Sequence, residues 1–381
     1  MPDRMMTDRI PFNRPALAGK EMEYIQDAVA RGHLSGDGYY TRRCHDLLEE
    51  LLGVPRVLLT TSCTHALEMS ALLLDLGPGD EVVVPAFTFV STVNAFVLRG
   101  ATPVFADIRP DTLNLDESRF AELVTPRTRA VVPVHYAGIA CDMDPILETA
   151  RAAGAVVVED NAHGLFGAYR GRPLGTLGSL ATLSFHETKN VACGEGGALL
   201  VNDPSLVARA EILREKGTDR SRFFRGEVDR YTWVDVGSSH LPSDLLAAFL
   251  LAQLEQRDAI QERRRRIWER YQEGLASWAA ARGARLPVVP PHCTQPYHLF
   301  YLLLPTTRER DALIEHLREL HIQAVFHYLP LHLSPMGRCL GGREGQCPVT
   351  EDVSGRLVRL PFFPGITGEE QERVMEAVRG F

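Results

Sequence analysis

The chain has 381 residues, 45% hydrophobic and 24% charged, enough for one large unit and a smaller one, each with its own core. A formal net charge of -8 offers no basic surface for nucleic acid, although a local basic pocket can coexist with a negative total. No apolar run approaches the roughly 18–20 residues that cross a bilayer, so no membrane partner is expected.

The polar opening, residues 1–9, lacks the apolar core of a signal peptide, and residues 1–10 read as a flexible lead. Seven cysteines, at 44, 63, 141, 193, 293, 339 and 347, are scattered, odd in number and free of CxxC spacing. That pattern suits reduced thiols in a cytoplasmic protein rather than a disulfide framework or a zinc knuckle.

From residue 41 to 201, short β-branched runs alternate with longer amphipathic stretches. The runs 56–59, 81–84, 102–105, 130–133 and 155–158 are mostly apolar, as strands buried on both faces of a mainly parallel sheet are. Helical patterns at 62–74, 89–98, 118–124 and 143–153 separate them. This βαβα rhythm implies an α/β layered unit with right-handed crossovers. Two further strands are expected at 180–185 and 197–201, then a helix at 204–216 and an irregular loop at 218–235. A strongly apolar helix follows at 243–254, and the run Arg263-Arg264-Arg265-Arg266 reads as the solvated face of a long connecting helix. Beyond the proline-rich 287–291 a second unit is expected, with strands 299–304 and 322–326 and helices 309–317 and 368–378. The division reads as a large unit, 11–255, and a connecting helix with a small α+β unit, 256–381.

Several chemistry-bearing residues fall at strand ends, where open α/β sheets bind ligands. Ser62, in Thr61-Ser62-Cys63-Thr64, suits an N-cap. The free N–H groups of a helix start also suit a phosphate, and a plainly capped helix satisfies the same pattern. Phe87 and Phe89 offer an aromatic face for a planar ring, one of the two being core. Asp160 closes an apolar strand, where it either caps the next turn or pairs with a protonated pyridine nitrogen; His163 follows three residues on. Lys189 has Ser184 five residues before it and Gly194-Glu195-Gly196-Gly197 close behind. Only Lys20 and Lys216 share its residue type, and lysine is the side chain that forms Schiff bases with carbonyls once it sheds its proton.

The order phosphate cradle, aromatic plate, strand-end Asp and glycine-flanked Lys resembles the fold-type I pyridoxal-phosphate enzymes. Collinear motifs narrow it: Gly36-Asp37-Gly38, Thr41-Arg42-Arg43-Cys44, Ser62-Cys63-Thr64, Phe89-Val90-Ser91-Thr92, and Pro133-Val134-His135-Tyr136. Ser184-Phe185-His186-Glu187-Thr188-Lys189-Asn190, Arg214-Glu215-Lys216-Gly217, Tyr231-Thr232-Trp233 and Phe326-His327-Tyr328 continue the series. Together they resemble the DegT/StrS family of sugar-nucleotide aminotransferases, over nearly the whole chain.

That resemblance implies the fold-type I architecture, a pyridoxal 5'-phosphate cofactor and a homodimer with active sites at the subunit interface. Lys189 would be the Schiff-base lysine and proton shuttle, Asp160 would hold the pyridine nitrogen and His163 the ring hydroxyl. Phe89 would stack on the ring; Ser62, Cys63, Thr64 and Ser184 would surround the phosphate. The implied substrates are L-glutamate and a dTDP-keto-sugar, with Tyr40, Arg42, Arg43, His327 and Tyr328 as candidates for gripping the nucleotide-sugar. Two departures stand out. Most of the family has Gly-Tyr-Asn-Tyr-Arg where this chain has Gly237-Ser238-Ser239-His240-Leu241. That Asn reaches the neighbouring subunit's phosphate, and Ser239 would take its place, as in the aminogalactose branch. Asn161 stands where alanine is usual. A 3-keto sugar aminotransferase is the near rival, and a silent scaffolding relative is disfavoured by the intact Lys189 and Asp160. A Rossmann dehydrogenase would need a GxGxxG after the first strand, which is missing.

Overall fold

The computed structural model describes residues 9–381. The expected lead therefore lies almost wholly outside the described residues. Its last residue, Ile10, is buried and exchanges backbone hydrogen bonds with His321 and Gln323, each at 3.0 Å.

Nine strands precede residue 202: β1 (Arg56–Thr60), β2 (Glu81–Pro85), β3 (Thr102–Ala106), β4 (Thr128–Val131), β5 (Val156–Asp160), the ribbon β6 (Ala168–Tyr169) and β7 (Arg172–Pro173), β8 (Leu180–Ser184) and β9 (Gly197–Val201). Seven of them form the central sheet in the order β1-β9-β8-β5-β4-β2-β3. β9 runs antiparallel to both its neighbours, and the other pairings are parallel. The mainly parallel sheet is as the apolar runs predict. The reversal of β9 turns the lysine segment into the loop of a hairpin.

Alternation within each strand fills two cores. Leu58, Val82, Val84, Leu199 and Val201 face one side with helix Cys63–Leu73, while Val57, Leu59, Val83, Ala198 and Leu200 face the other. Period-2 side-chain alternation with both faces apolar is what a helix-covered sheet requires.

Helices Glu21–Ala30 and Tyr39–Leu52, not expected from the pattern, pack against the apolar helix Asp244–Glu255. The start of Tyr39–Leu52 is capped from a distance. Asp244 accepts from Tyr40 N (3.2 Å), Thr41 N (2.8 Å) and Thr41 Oγ1 (2.8 Å). Gly38 must be glycine here, because a Cβ would sit 2.4 Å from the Asp244 carboxyl group.

Helix Arg257–Arg282 continues after a break at Gln256. Its basic run is not wholly a solvated face: Arg264 is 1% exposed. It donates to the carbonyls of Tyr297 and His298 and lies over the Phe362 ring. The helix then packs with Thr307–Glu319 and Gly368–Gly380 around a sheet of β11 (Tyr301–Leu303), β13 (Leu357–Arg359) and β12 (Val325–Phe326), while β10 (Cys293–Thr294) joins the β6–β7 ribbon. The expected 204–216 helix is a 3-10 turn followed by Val207–Arg214. The short helices Arg220–Phe224, Pro335–Cys339 and Pro348–Arg356 lack a clear periodic signal. Among the described residues no helix is long and apolar enough to cross a membrane.

Candidate active site

The carboxyl ends of β1, β2, β5 and β8 open on one edge of the sheet. β5 ends at Asp160, 5% exposed. Its Oδ2 accepts from Thr92 Oγ1 at 2.7 Å, and Thr92 in turn receives a hydrogen bond from Thr88 at 2.8 Å. With Oδ1 taken by Ala162 N at 3.2 Å, the carboxylate is oriented from two sides.

Beneath it, Glu159 is buried against His135, whose Nε2 donates at 2.9 Å, and accepts the backbone N–H groups of Gly175, Leu177 and Gly178. Burial raises its pKa, but His135 and these N–H donors outweigh that and hold it below the usual 4.5. A depressed carboxylate stabilises the fold above 4.5 and loses that contribution as the pH falls towards its folded value. Glu159→Gln is expected to cost about 3–5 kcal/mol, since an amide must face the same donors. Urea unfolding at pH 7 and pH 3.5 checks this: the difference between wild type and variant should shrink in acid.

Lys189 sits in the 185–196 loop between β8 and β9. The loop is closed by Phe185 N to Gly196 O (2.8 Å), Glu187 N to Gly194 O (2.9 Å) and Cys193 N to Phe185 O (2.9 Å). Asn190 anchors it across the chain, donating to Pro296 O at 2.6 Å and accepting from His298 Nδ1 at 2.8 Å. Desolvation pushes the Lys189 pKa down to about 8, helped by Arg359 and opposed by Asp160. A lysine so shifted has a substantial neutral fraction near physiological pH.

His163, 7% exposed, stacks on His298 with ring centroids 4.2 Å apart. Its Nδ1 is buried without a hydrogen-bond partner. Desolvation first, then Lys189 and Arg359, hold its pKa well below the usual range, so the ring is neutral. An unpaired buried polar atom costs about 1–3 kcal/mol and marks where a ligand's polar group belongs. Around it gather Tyr136, whose hydroxyl meets His327 Nδ1 at 3.1 Å, and Tyr328, whose ring is 3.4 Å from that of His327. Phe87 is the core member of the phenylalanine pair; Phe89, 56% exposed, presents its ring 6.4 Å from Tyr328.

On the other flank Ser62 caps helix Cys63–Leu73, accepting from His65 N at 3.1 Å. First-turn N–H groups have no intrahelical acceptor. β9 begins against this turn, and Gly197 must be glycine, because a Cβ would lie 2.3 Å from Cys63 N. The Cys63 thiol donates to Thr182 Oγ1 at 3.4 Å, and burial pushes its pKa up to about 12, so it is no nucleophile. Thr64 Oγ1 meets Ser91 Oγ at 2.8 Å, and Ser184 pairs with Gly197 across the hairpin.

The family model described as DegT/DnrJ/EryC1/StrS aminotransferase matches residues 15–379. The chain belongs to that family. It is 35% identical over 380 residues to GDP-perosamine synthase of Caulobacter vibrioides, covering 97% of each chain. Among solved structures it resembles the aminotransferase TlmJ from Streptoalloteichus hindustanus (34% identity, TM-score 0.89, 97% and 98% of the two chains). It also resembles the PLP form of the putative sugar aminotransferase Spr1654 from Streptococcus pneumoniae (26%, TM-score 0.89, 98% of each). The fold is that of the type I pyridoxal-phosphate enzymes, and pyridoxal phosphate is the cofactor.

The residues of this DegT/StrS aminotransferase fit that group. An oriented carboxylate, an unpaired imidazole nitrogen, an open helix start and a lysine with a depressed pKa share one edge of the sheet. A cavity of about 180 Å³ beside Lys189 is lined by residues that include Asn13, Arg14, Glu187, Arg263 and Arg264. Of the cofactor residues only Lys189 lines it, while Asp160, His163 and Ser62 do not. A larger hollow of about 610 Å³ along helix Met143–Ala153 shares no residue with the cluster, so the site is placed by the side-chain geometry and not by either cavity.

The five residues expected to grip a nucleotide-sugar do not share a surface. His327 and Tyr328 join the His163 cluster. Tyr40 does not: it is buried between helices with its hydroxyl on Asp27 at 2.8 Å, and no ligand can reach it. Arg43 is held by the Tyr39 hydroxyl and Glu255, and Arg42 is exposed with one donor on Asp37 O. Ser239 is exposed, on the strip that bridges Glu215. Asn161 donates to Leu174 O at 2.8 Å, a backbone tie beside the strand end.

Four contributors escaped the sequence reading. Thr88 and Thr92 carried a usable signal, two hydroxyls one helical turn apart after β2. His298 and Arg359, from the C-terminal third, carried none. Arg359 is largely enclosed, lies over the Phe12 ring, and has no carboxylate partner among the described residues. Its charge acts on Lys189, His163, His327 and Tyr328.

Proposed function

We propose that this aminotransferase moves the amino group of L-glutamate to C4 of dTDP-4-keto-6-deoxy-D-glucose, giving dTDP-4-amino-4,6-dideoxy-D-galactose for surface-polysaccharide synthesis. The observation that carries the reading is the meeting of Lys189, Thr92-oriented Asp160 and the unpaired His163 nitrogen at one sheet edge. Pyridoxal phosphate, when bound, supplies the electron sink that lets a Cα proton leave. Lys189 Nζ would anchor the group and carry that proton, Asp160 would keep the ring nitrogen protonated, and His163 would meet the ring hydroxyl. Phe89 would cover the ring, and Ser62, Cys63, Thr64 and Ser184 would hold the phosphate. Ser239 reaches the same phosphate in a second copy, so a homodimer near twice 42.3 kDa is expected by sedimentation.

Support for C4 comes from Gly237-Ser238-Ser239, which resembles the aminogalactose branch. A C3 keto group is the rival, and the relative named for GDP-perosamine makes GDP a second nucleotide to try. Steady-state rates with L-glutamate over 4-keto and 3-keto sugars, each as dTDP and GDP forms, test the choice. The dTDP-4-keto sugar is expected to have the highest kcat/KM. A better 3-keto substrate removes the C4 assignment, and turnover of no keto-sugar nucleotide removes the whole reading.

Arg359 gives the donor its handle in this proposal, an enclosed cation suited to a carboxylate. Arg359→Ala should raise the KM for glutamate roughly 10–100-fold, as loss of a charged hydrogen bond does, and Arg359→Lys should recover part of it. An unchanged KM would exclude that role.

A further inference from the structure

Helix Cys63–Leu73 carries His65 and Glu68 three residues apart, hence on one face. His240 comes to them from the loop before helix Asp244–Glu255, its ring 5.1 Å from that of His65. One donor atom each from His65, Glu68 and His240 lies within 4.8 Å of the other two. His240 is 3% exposed, and both of its ring nitrogens lack a hydrogen-bond partner. Its backbone is well used, with the carbonyl accepting from Thr61 N at 2.9 Å, so the loop is fixed while the imidazole has nothing to bind.

We infer that His65, Glu68 and His240 form a binding site for one divalent transition-metal ion of the zinc class. Two imidazoles and one carboxylate, with a fourth position left for water, match the preferred zinc donor set. Too few oxygen donors converge for calcium or magnesium. Tetrahedral donors about 2.0–2.1 Å from zinc stand about 3.4 Å apart. The remaining gap closes by a rotamer change at the partly exposed Glu68 and a small tilt of the His65 ring that keeps its Thr61 contact. His65 Nδ1 contacts the Thr61 hydroxyl; in the tautomer with the proton on Nδ1 this is the outer hydrogen bond that usually orients a ligating histidine, and Nε2 is left to ligate.

The ion would clip the loop bearing Ser239 to the helix whose first turn is Ser62–Thr64. This inference rests on the side-chain geometry and not on the choice of substrate.

The test uses the untagged, cofactor-loaded full chain, stripped with a chelator and titrated calorimetrically with zinc, then with cobalt as a spectroscopic probe. One equivalent per chain is expected, with a rise in thermal midpoint. His65→Ala and His240→Ala should each weaken binding at least about 100-fold. Glu68→Gln, a conservative change at a partly exposed helix position, should weaken it measurably, while His33→Ala, an exposed control, leaves it unchanged. If His240→Ala does not fold, His65→Ala and Glu68→Gln decide. Absence of a saturable one-equivalent site in the wild-type protein, or equal binding by wild type and both of those variants, overturns the assignment.

Discussion

Lys189→Ala lowers turnover by at least about 10⁴-fold, because one amine serves as both covalent anchor and proton carrier. The loop should survive the change, since its closing hydrogen bonds come from Phe185, Glu187 and Cys193 rather than from the lysine side chain. Unaltered circular dichroism with lost single-turnover activity is the expected pair of results, and an active variant would remove Lys189 from the chemistry. The same amine dictates a pH dependence. It must be neutral to attack a carbonyl, and desolvation has brought its pKa from 10.5 to about 8. Uptake of pyridoxal phosphate by the stripped protein should therefore accelerate by about tenfold per pH unit below pH 8 and level off above it. A rate that keeps climbing to pH 10 would mean that burial does not depress this lysine.

Asp160→Asn should lower kcat by about 10²–10³-fold, the scale seen when one preorganised electrostatic partner is removed from a reacting group. The amide keeps the shape and the Thr92 contact but no longer favours a protonated ring nitrogen. Thr92→Val should cost roughly tenfold, because the carboxylate remains while one of its hydrogen bonds is lost. The two variants separate charge from orientation. Equal losses would assign Thr92 more than an orienting part, and full activity in Asp160→Asn would leave the strand-end carboxylate as a cap.

The strands were legible because alternation is local. Val82-Val83-Val84 and Leu199-Leu200 send neighbours to opposite faces, and both faces are apolar. Ser62 was legible for the same reason, since an N-cap acts three residues down its own helix. The charged helices Glu21–Ala30 and Tyr39–Leu52 were not. Their stability comes from Asp244 and the apolar helix behind it, far away in the chain. Arg264 shows the converse error: a basic run reads as solvated until the carbonyls of Tyr297 and His298 arrive to accept its donors.

By itself the sequence determined the α/β alternation, the capped helix start and the order of Ser62, Phe89, Asp160 and Lys189 along strand ends. Each depends on contacts within a turn or on the two-residue period of a strand. Only the tertiary structure decided that Thr92 orients Asp160, that His298 stacks on His163 and holds Asn190, and that Tyr40 is closed off. It alone brought Arg359 within electrostatic reach of the lysine and left His240 facing His65 with both ring nitrogens unpaired. Thr92 and Asp160 are 68 positions apart, and Asn190 and His298 are 108 apart. No local pattern specifies a partner at that distance, because the contact exists only once the sheet and the C-terminal unit have packed together.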